Sequence, residues 1–150
     1  MTRNILLTIH IASVTGWLGA DLLQYAIAPR LARAGNETKL FWAETVHFLH
    51  DRYYAAVAVL IALSGIALVL KTEWDWSDHF VWVGIGAIVL GGTFGGVGLK
   101  GLGAKRAAAL TAGNGDEAAR LERRGRAIEV FLSLVVVVTM LAMIDKWGAS

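Results

Sequence analysis

Apolar residues gather into four long blocks along this chain, Ile5–Ile27, Tyr53–Leu70, Phe80–Leu99 and Ile128–Ile144, with charge-bearing stretches between them. Each block is near the roughly 20 residues that an α-helix needs to cross about 30 Å of hydrocarbon. Runs this long and this poor in charge predict membrane spans rather than the buried helices of a water-soluble protein. The expected fold is an all-α membrane protein, one domain over residues 1–150 built as a four-transmembrane-helix bundle. The first block is longer than the apolar core of a signal peptide, and no A-x-A-like cleavage site follows it. It therefore reads as a retained first helix.

Basic residues orient the bundle. Arg30, Arg33, Lys39 and Arg52 lie between spans one and two. Lys100, Lys105, Arg106, Arg120, Arg123, Arg124 and Arg126 lie between spans three and four. The other side carries only Arg3, Lys71 and Lys146. Short basic connections stay in the cytoplasm, so both termini are expected outside, in a multi-pass protein of the cell's inner membrane. The outer connection Lys71–His79 holds Glu73, Asp75 and Asp78, flanked by Trp74, Trp76 and Trp82. Trp147 ends the last span at the same level, as an interfacial aromatic belt requires.

The inner connections, residues 36–52 and 101–127, are amphipathic and predict helix. The first is a lead-in to span two, and the second extends span three and turns at Gly113-Asn114-Gly115. A helix then starts near Asp116, where acidic residues suit the positive end of the dipole. The face Arg120, Arg123, Arg124 and Arg126 either meets anionic lipid, at about 1 kcal/mol per residue, or is a solvated face. Nucleic acid is not an expected partner: the basic run has no recognition fold or aromatic platform with it. Gly98–Gly103 is no nucleotide loop, since it follows a helix and lacks the G-K-[ST] ending.

Composition sharpens the class. The chain is 56% hydrophobic, against about 45–50% for a soluble domain. It has no cysteine, which removes disulfides, thiolate metal sites and thiol nucleophiles. The net charge of +2 matters less than its segregation by side.

One face of the first span is polar. At about 100° per residue, Trp17, Asp21 and Gln24 fall within roughly 40° of His10, and Ser13 lies near the same line. A carboxylate in hydrocarbon costs roughly 2.5–3.5 kcal/mol on insertion scales, so this face is expected to point into the bundle. Depth then separates two clusters. His10, Met140, Met143 and His79 lie at the outer level. Asp21, Gln24, Glu129, His47, His50 and Arg52 lie at the inner level, with about 20 Å between His10 and His47. The outer set, with Trp17 below it, has ligand types that suit haem b or copper, above all His10 and Met140. Methionine is also a common filler of helix cores, so the alternative is no cofactor at all. The inner set reads as a proton or polar network.

Span three is rich in glycine. Gly84, Gly91 and Gly98 recur every seven residues, and Gly91 and Gly95 form one of two overlapping G-x-x-x-G pairs. Small residues at this spacing let helices approach closely, within the bundle or across a homodimer.

The start His10-Ile-Ala-Ser-Val-Thr-Gly-Trp17-Leu-Gly19, followed by Pro29-Arg30, resembles the first helix of four-helix bacterial membrane proteins related to the CopD copper-resistance group. With Trp17-Leu-Gly-Ala-Asp21, Ser64-Gly65-Ile66 and Trp82-Val83 after an acidic outer loop, the chain resembles an uncharacterised predicted integral membrane family over nearly its whole length. This resemblance implies the fold. More distantly, the His10–Trp17 spacing is similar to that of the membrane protoporphyrinogen oxidase of many bacteria, which implies haem binding at His10. That family carries a lysine in a later span, whereas Lys100 here ends span three, and Pro29-Arg30 comes four residues later than in that pattern. Two function classes follow. One is a redox or metal-handling membrane protein with haem b or copper near His10. The other is a non-catalytic subunit or scaffold of a larger membrane complex.

Overall fold

The computed structural model describes residues 1–72 and 74–146; Glu73 and Trp147, assigned above to the outer loop and aromatic belt, lie outside the described residues. Among those described, four helices are long and apolar enough to cross a membrane: α1 (Thr2–Ala32), α2 (Asn36–Lys71), α3 (His79–Thr111) and α4 (Gly115–Ile144). Turns at 33–35 and 112–114 are too short for anything but antiparallel neighbours. Both turns sit at one end of the bundle with most of the arginines, here called the basic end.

The expected amphipathic connections are helical. Residues 36–52 run without a break into the second apolar block, with a π-helical turn at His50–Tyr54. The third block continues through a π-helical stretch, Gly91–Leu99, to Thr111. Gly113 then takes a positive φ of 71°, a conformation that costs glycine nothing. Asn114 caps α4, its side chain accepting from the Glu117 amide at 3.2 Å. The exposed Arg120 guanidinium donates to Glu117 at 2.8 and 2.9 Å and holds that carboxyl below its usual range.

Burial along α1 is inverted relative to a helix in water. The buried residues of α1 are His10, Ser13 and Asp21, while Ile5, Ile9, Ile11, Leu22 and Leu23 are exposed. Lipid reverses the usual preference: apolar side chains face outward without penalty, and polar groups must find partners within the bundle. Two small apolar clusters mark the ends, Phe80 with Val81 and Ala142 at one, Ala109 with Ala118 and Leu121 at the basic end.

The glycines of α3 divide by face. A methyl group on Gly84 would lie 2.8 Å from Met143 Cε, on Gly95 3.3 Å from Leu132 Cδ1, and on Gly91 3.9 Å from Trp17 Cη2. These three are contact points with α4 and α1. Gly92 and Gly96 have nothing within 4 Å, and Gly98 approaches only the Thr93 carbonyl of its own helix. The inward stripe is therefore 84, 91 and 95.

Candidate functional site

Three helices converge on Asp21, which is 5% exposed. Tyr54, in the π turn of α2, donates to Oδ1 at 2.5 Å. Ser133 of α4 donates to Oδ2 at 2.7 Å. Each donor has a donor behind it. Gln24 Nε2, one turn along α1, donates to the Tyr54 oxygen at 2.7 Å. The Tyr25 hydroxyl lies 3.1 Å from Ser133 Oγ; with the serine proton directed at Asp21, tyrosine is the donor. Two arms of hydrogen-bond donors thus end on one carboxylate, one on each of its oxygens.

The tyrosine arm is held by aromatic packing. Trp17 meets Tyr54 edge to face, with centroids 5.0 Å apart. His50 stacks on the same tyrosine ring at 5.0 Å with an interplanar angle of 20°. His50 Nδ1 lies 2.9 Å from the Val46 carbonyl. A carbonyl can only accept, so Nδ1 carries the proton and fixes the ring.

The two arms differ in freedom. An amide N–H cannot accept, so Gln24 forces the Tyr54 hydroxyl to point at Asp21. The Tyr25–Ser133 arm contains only hydroxyls, each able to donate or accept. It can reverse direction as a unit.

Beyond this network, toward the basic end, lies a cavity of about 80 Å³ between all four helices. Gln24, Tyr25, His47, His50, Arg106 and Glu129 are among its lining residues. His47 Nε2 approaches Asp51 at 3.8 Å, and Lys100 pairs with the same carboxylate at 3.1 Å. Glu122 bridges Arg106 at 3.1 Å and Arg126 at 2.9 Å. His47 Nδ1 and Arg106 Nε are buried and lack a partner among the described residues.

The inner set named from sequence is thus largely gathered. Asp21 and Gln24 share the hydrogen-bonded network, His50 stacks on it, and Glu129 and His47 line the adjoining cavity. Arg52 is exposed. Sequence reasoning missed Tyr54, Ser133 and Tyr25. Ser133 had a signal: with Glu129 and Thr139 it is one of few polar residues in the fourth block, and it sits one turn from Glu129.

The outer set is spread over two helix interfaces. His10 Nδ1 lies 3.0 Å from Ser64 Oγ of α2, and the missing side chain of Gly65 makes room for its ring, 3.4 Å from where a Cβ would stand. Ser64 also bonds the Leu60 carbonyl at 2.5 Å. That carbonyl takes the serine proton, so His10 Nδ1 is the donor and Nε2 holds the lone pair. Met143 packs instead on α3 at Gly84, Met140 is half-buried on α4, and His79 is exposed at the start of α3. Of the four residues only His10 is buried, and it does not line the cavity at the basic end. No group of three or more His, Asp or Glu side chains placed to hold a metal occurs among the described residues.

Compared with known proteins, the chain matches no family model, no curated protein and no solved structure.

Proposed function

We propose that this protein is a four-span protein of the bacterial inner membrane that takes up and releases a proton at Asp21. The observation that carries the reading is the asymmetry of the two arms. Two hydroxyl protons on its oxygens favour the anion, while removal from water opposes it, so the carboxyl has support for both its charged and its neutral form. Reversing the Tyr25–Ser133 arm lets the same site hold the acid form, with Oδ2–H donating to Ser133 and Ser133 donating to Tyr25. Either state keeps every member of the network bonded, so protonation needs no large rearrangement. Buried ionisable residues in membrane spans commonly mark such relays. The basic end is cytoplasmic in this reading, by the arginine and lysine asymmetry, and both termini are outside.

The test is an infrared pH titration of purified protein. A protonated-carboxyl band that grows on acidification and is missing in Asp21→Asn supports the assignment. A wild-type spectrum with no Asp21→Asn-sensitive band at any pH overturns it.

A second reading keeps His10 as a ligand to haem b or copper, as the resemblance to the CopD-related proteins and the oxidase implies. Its support is the Ser64 contact, since an imidazole that donates from one nitrogen to a neighbour presents the other to a metal. His10 would hold such a group from one side, and the group would supply electron transfer. Protein purified with haem precursor should then show a Soret band, or bind Cu(I) at about one per chain. His10→Ala should remove either signal, while His47→Ala should not. Colourless, copper-free protein whose Asp21 does not titrate would favour the accessory-subunit reading instead.

A further inference from the structure

The cavity at the basic end climbs two helix faces toward the polar network. On α1 its lining is Leu31, Ala28, Tyr25 and Gln24; on α4 it includes Glu122, Arg126 and Glu129. The next turn along each helix brings Asp21 and Ser133. The cavity therefore stops one helical turn, about 5.4 Å, short of the carboxylate. Its volume of about 80 Å³ holds two or three waters at about 30 Å³ each. The unpartnered His47 Nδ1 and Arg106 Nε belong to residues that line it, and buried polar atoms of this kind are normally satisfied by water.

We propose that this cavity is a hydrated proton vestibule and that Tyr25 is the relay between it and Asp21. The proposal rests on Asp21 exchanging a proton, and adds the route and the side of entry. A hydronium ion in the vestibule gives its proton to Tyr25 Oη as the tyrosine proton passes to Ser133 Oγ and the serine proton to Asp21 Oδ2. At each hop one O–H bond breaks as the next forms. Water is left in the vestibule, and the carboxylate has become the acid. The Tyr54 arm is closed to this transfer, because Gln24 has no lone pair on its donating nitrogen. The charged and titratable groups facing the path are His50, His47 and Tyr54 from α2, Glu129, Glu122 and Arg126 from α4, and Arg106 from α3. Toward the other end, Trp17 packed on Tyr54 and about 16 Å of helix separate Asp21 from His10.

The experiment is time-resolved infrared spectroscopy of the full-length protein after a pH jump, following the carboxyl band that Asp21→Asn removes. Tyr25→Phe keeps the ring and deletes the relay oxygen. The band should reach its wild-type amplitude about tenfold or more slowly, a barrier increase of about 1.4 kcal/mol. Ser133→Ala should slow it similarly and serves if Tyr25→Phe fails to fold. Tyr53→Phe, outside the relay, should leave the rate unchanged. A wild-type rate in Tyr25→Phe or Ser133→Ala, with the band still present, overturns the route while leaving proton exchange standing. Absence of any Asp21→Asn-sensitive band in the wild type defeats the underlying reading, and the route with it.

Discussion

Asp21 illustrates how much of a membrane helix one carboxylate organises. Its two bonds come from different helices, so each fixes the rotation of a neighbour as well as the charge. Removing one donor takes a partner from a buried acceptor. Tyr54→Phe should therefore destabilise the protein by about 1–3 kcal/mol, the usual cost of an unsatisfied buried polar group, read as a lower midpoint of thermal unfolding in detergent. Combined with Asp21→Asn, the two losses should be non-additive by about 0.5–3 kcal/mol, because they break one network. Additive losses would show that Tyr54 stabilises through its stacking on His50 and Trp17 alone. The polar face of α1 was legible in the sequence, since His10, Ser13, Trp17, Asp21 and Gln24 follow the helical period. Its partners were not. Periodicity gives a residue's face and depth, but not which neighbouring helix meets it or in what rotation. His10 shows the consequence. Depth placed it level with Met140, and its actual neighbours are Ser64 and Gly65 on a different helix.

At the scale of single elements, α3 is the informative case. Glycine is a poor helix former, disfavoured by about 1 kcal/mol per residue against alanine, and α3 carries several in and around a π-helical stretch. The sequence marked Gly84, Gly91, Gly95 and Gly98 as packing positions. The structure gives the first three contacts on other helices and leaves the last against its own backbone. The heptad spacing of 84, 91 and 98 fails at its end because the π-helical turn changes the rotation per residue. Facing pairs make the test. Gly95→Leu meets Leu132 and should cost about 1–3 kcal/mol by overpacking. Gly96→Leu, one residue on, points into open space and should leave the thermal midpoint nearly unchanged. Equal effects of the two would mean that this face of α3 is not the one turned to α4. The start of α4 permits a second check. Asn114→Ala removes the Glu117 amide's acceptor and should cost about 1 kcal/mol.

For the whole molecule, the governing fact is how much apolar surface faces outward, above all on α1, which hides His, Ser and Asp while it exposes isoleucine and leucine. A chain folded so in water would bury charge and expose grease, losing on both counts. In a bilayer the same arrangement is favourable, so the fold and its solvent have to be argued together. The four blocks were legible because hydrocarbon thickness sets a minimum apolar length. The continuity of 36–52 with the second block was legible because apolar residues persist through it. The orientation rests on a different physical effect, the retention of arginine and lysine on the cytoplasmic side, and it decides which compartment the vestibule at Tyr25 faces. Single cysteines at Gly113 and Ser77 separate the alternatives, since the chain has no cysteine of its own. In intact cells, a membrane-impermeant thiol reagent should label Ser77→Cys and spare Gly113→Cys until the membrane is opened. The reverse pattern would put the arginine-rich end and its cavity outside. Asp21 would then exchange protons with the outer compartment, through the same hydrogen-bonded relay.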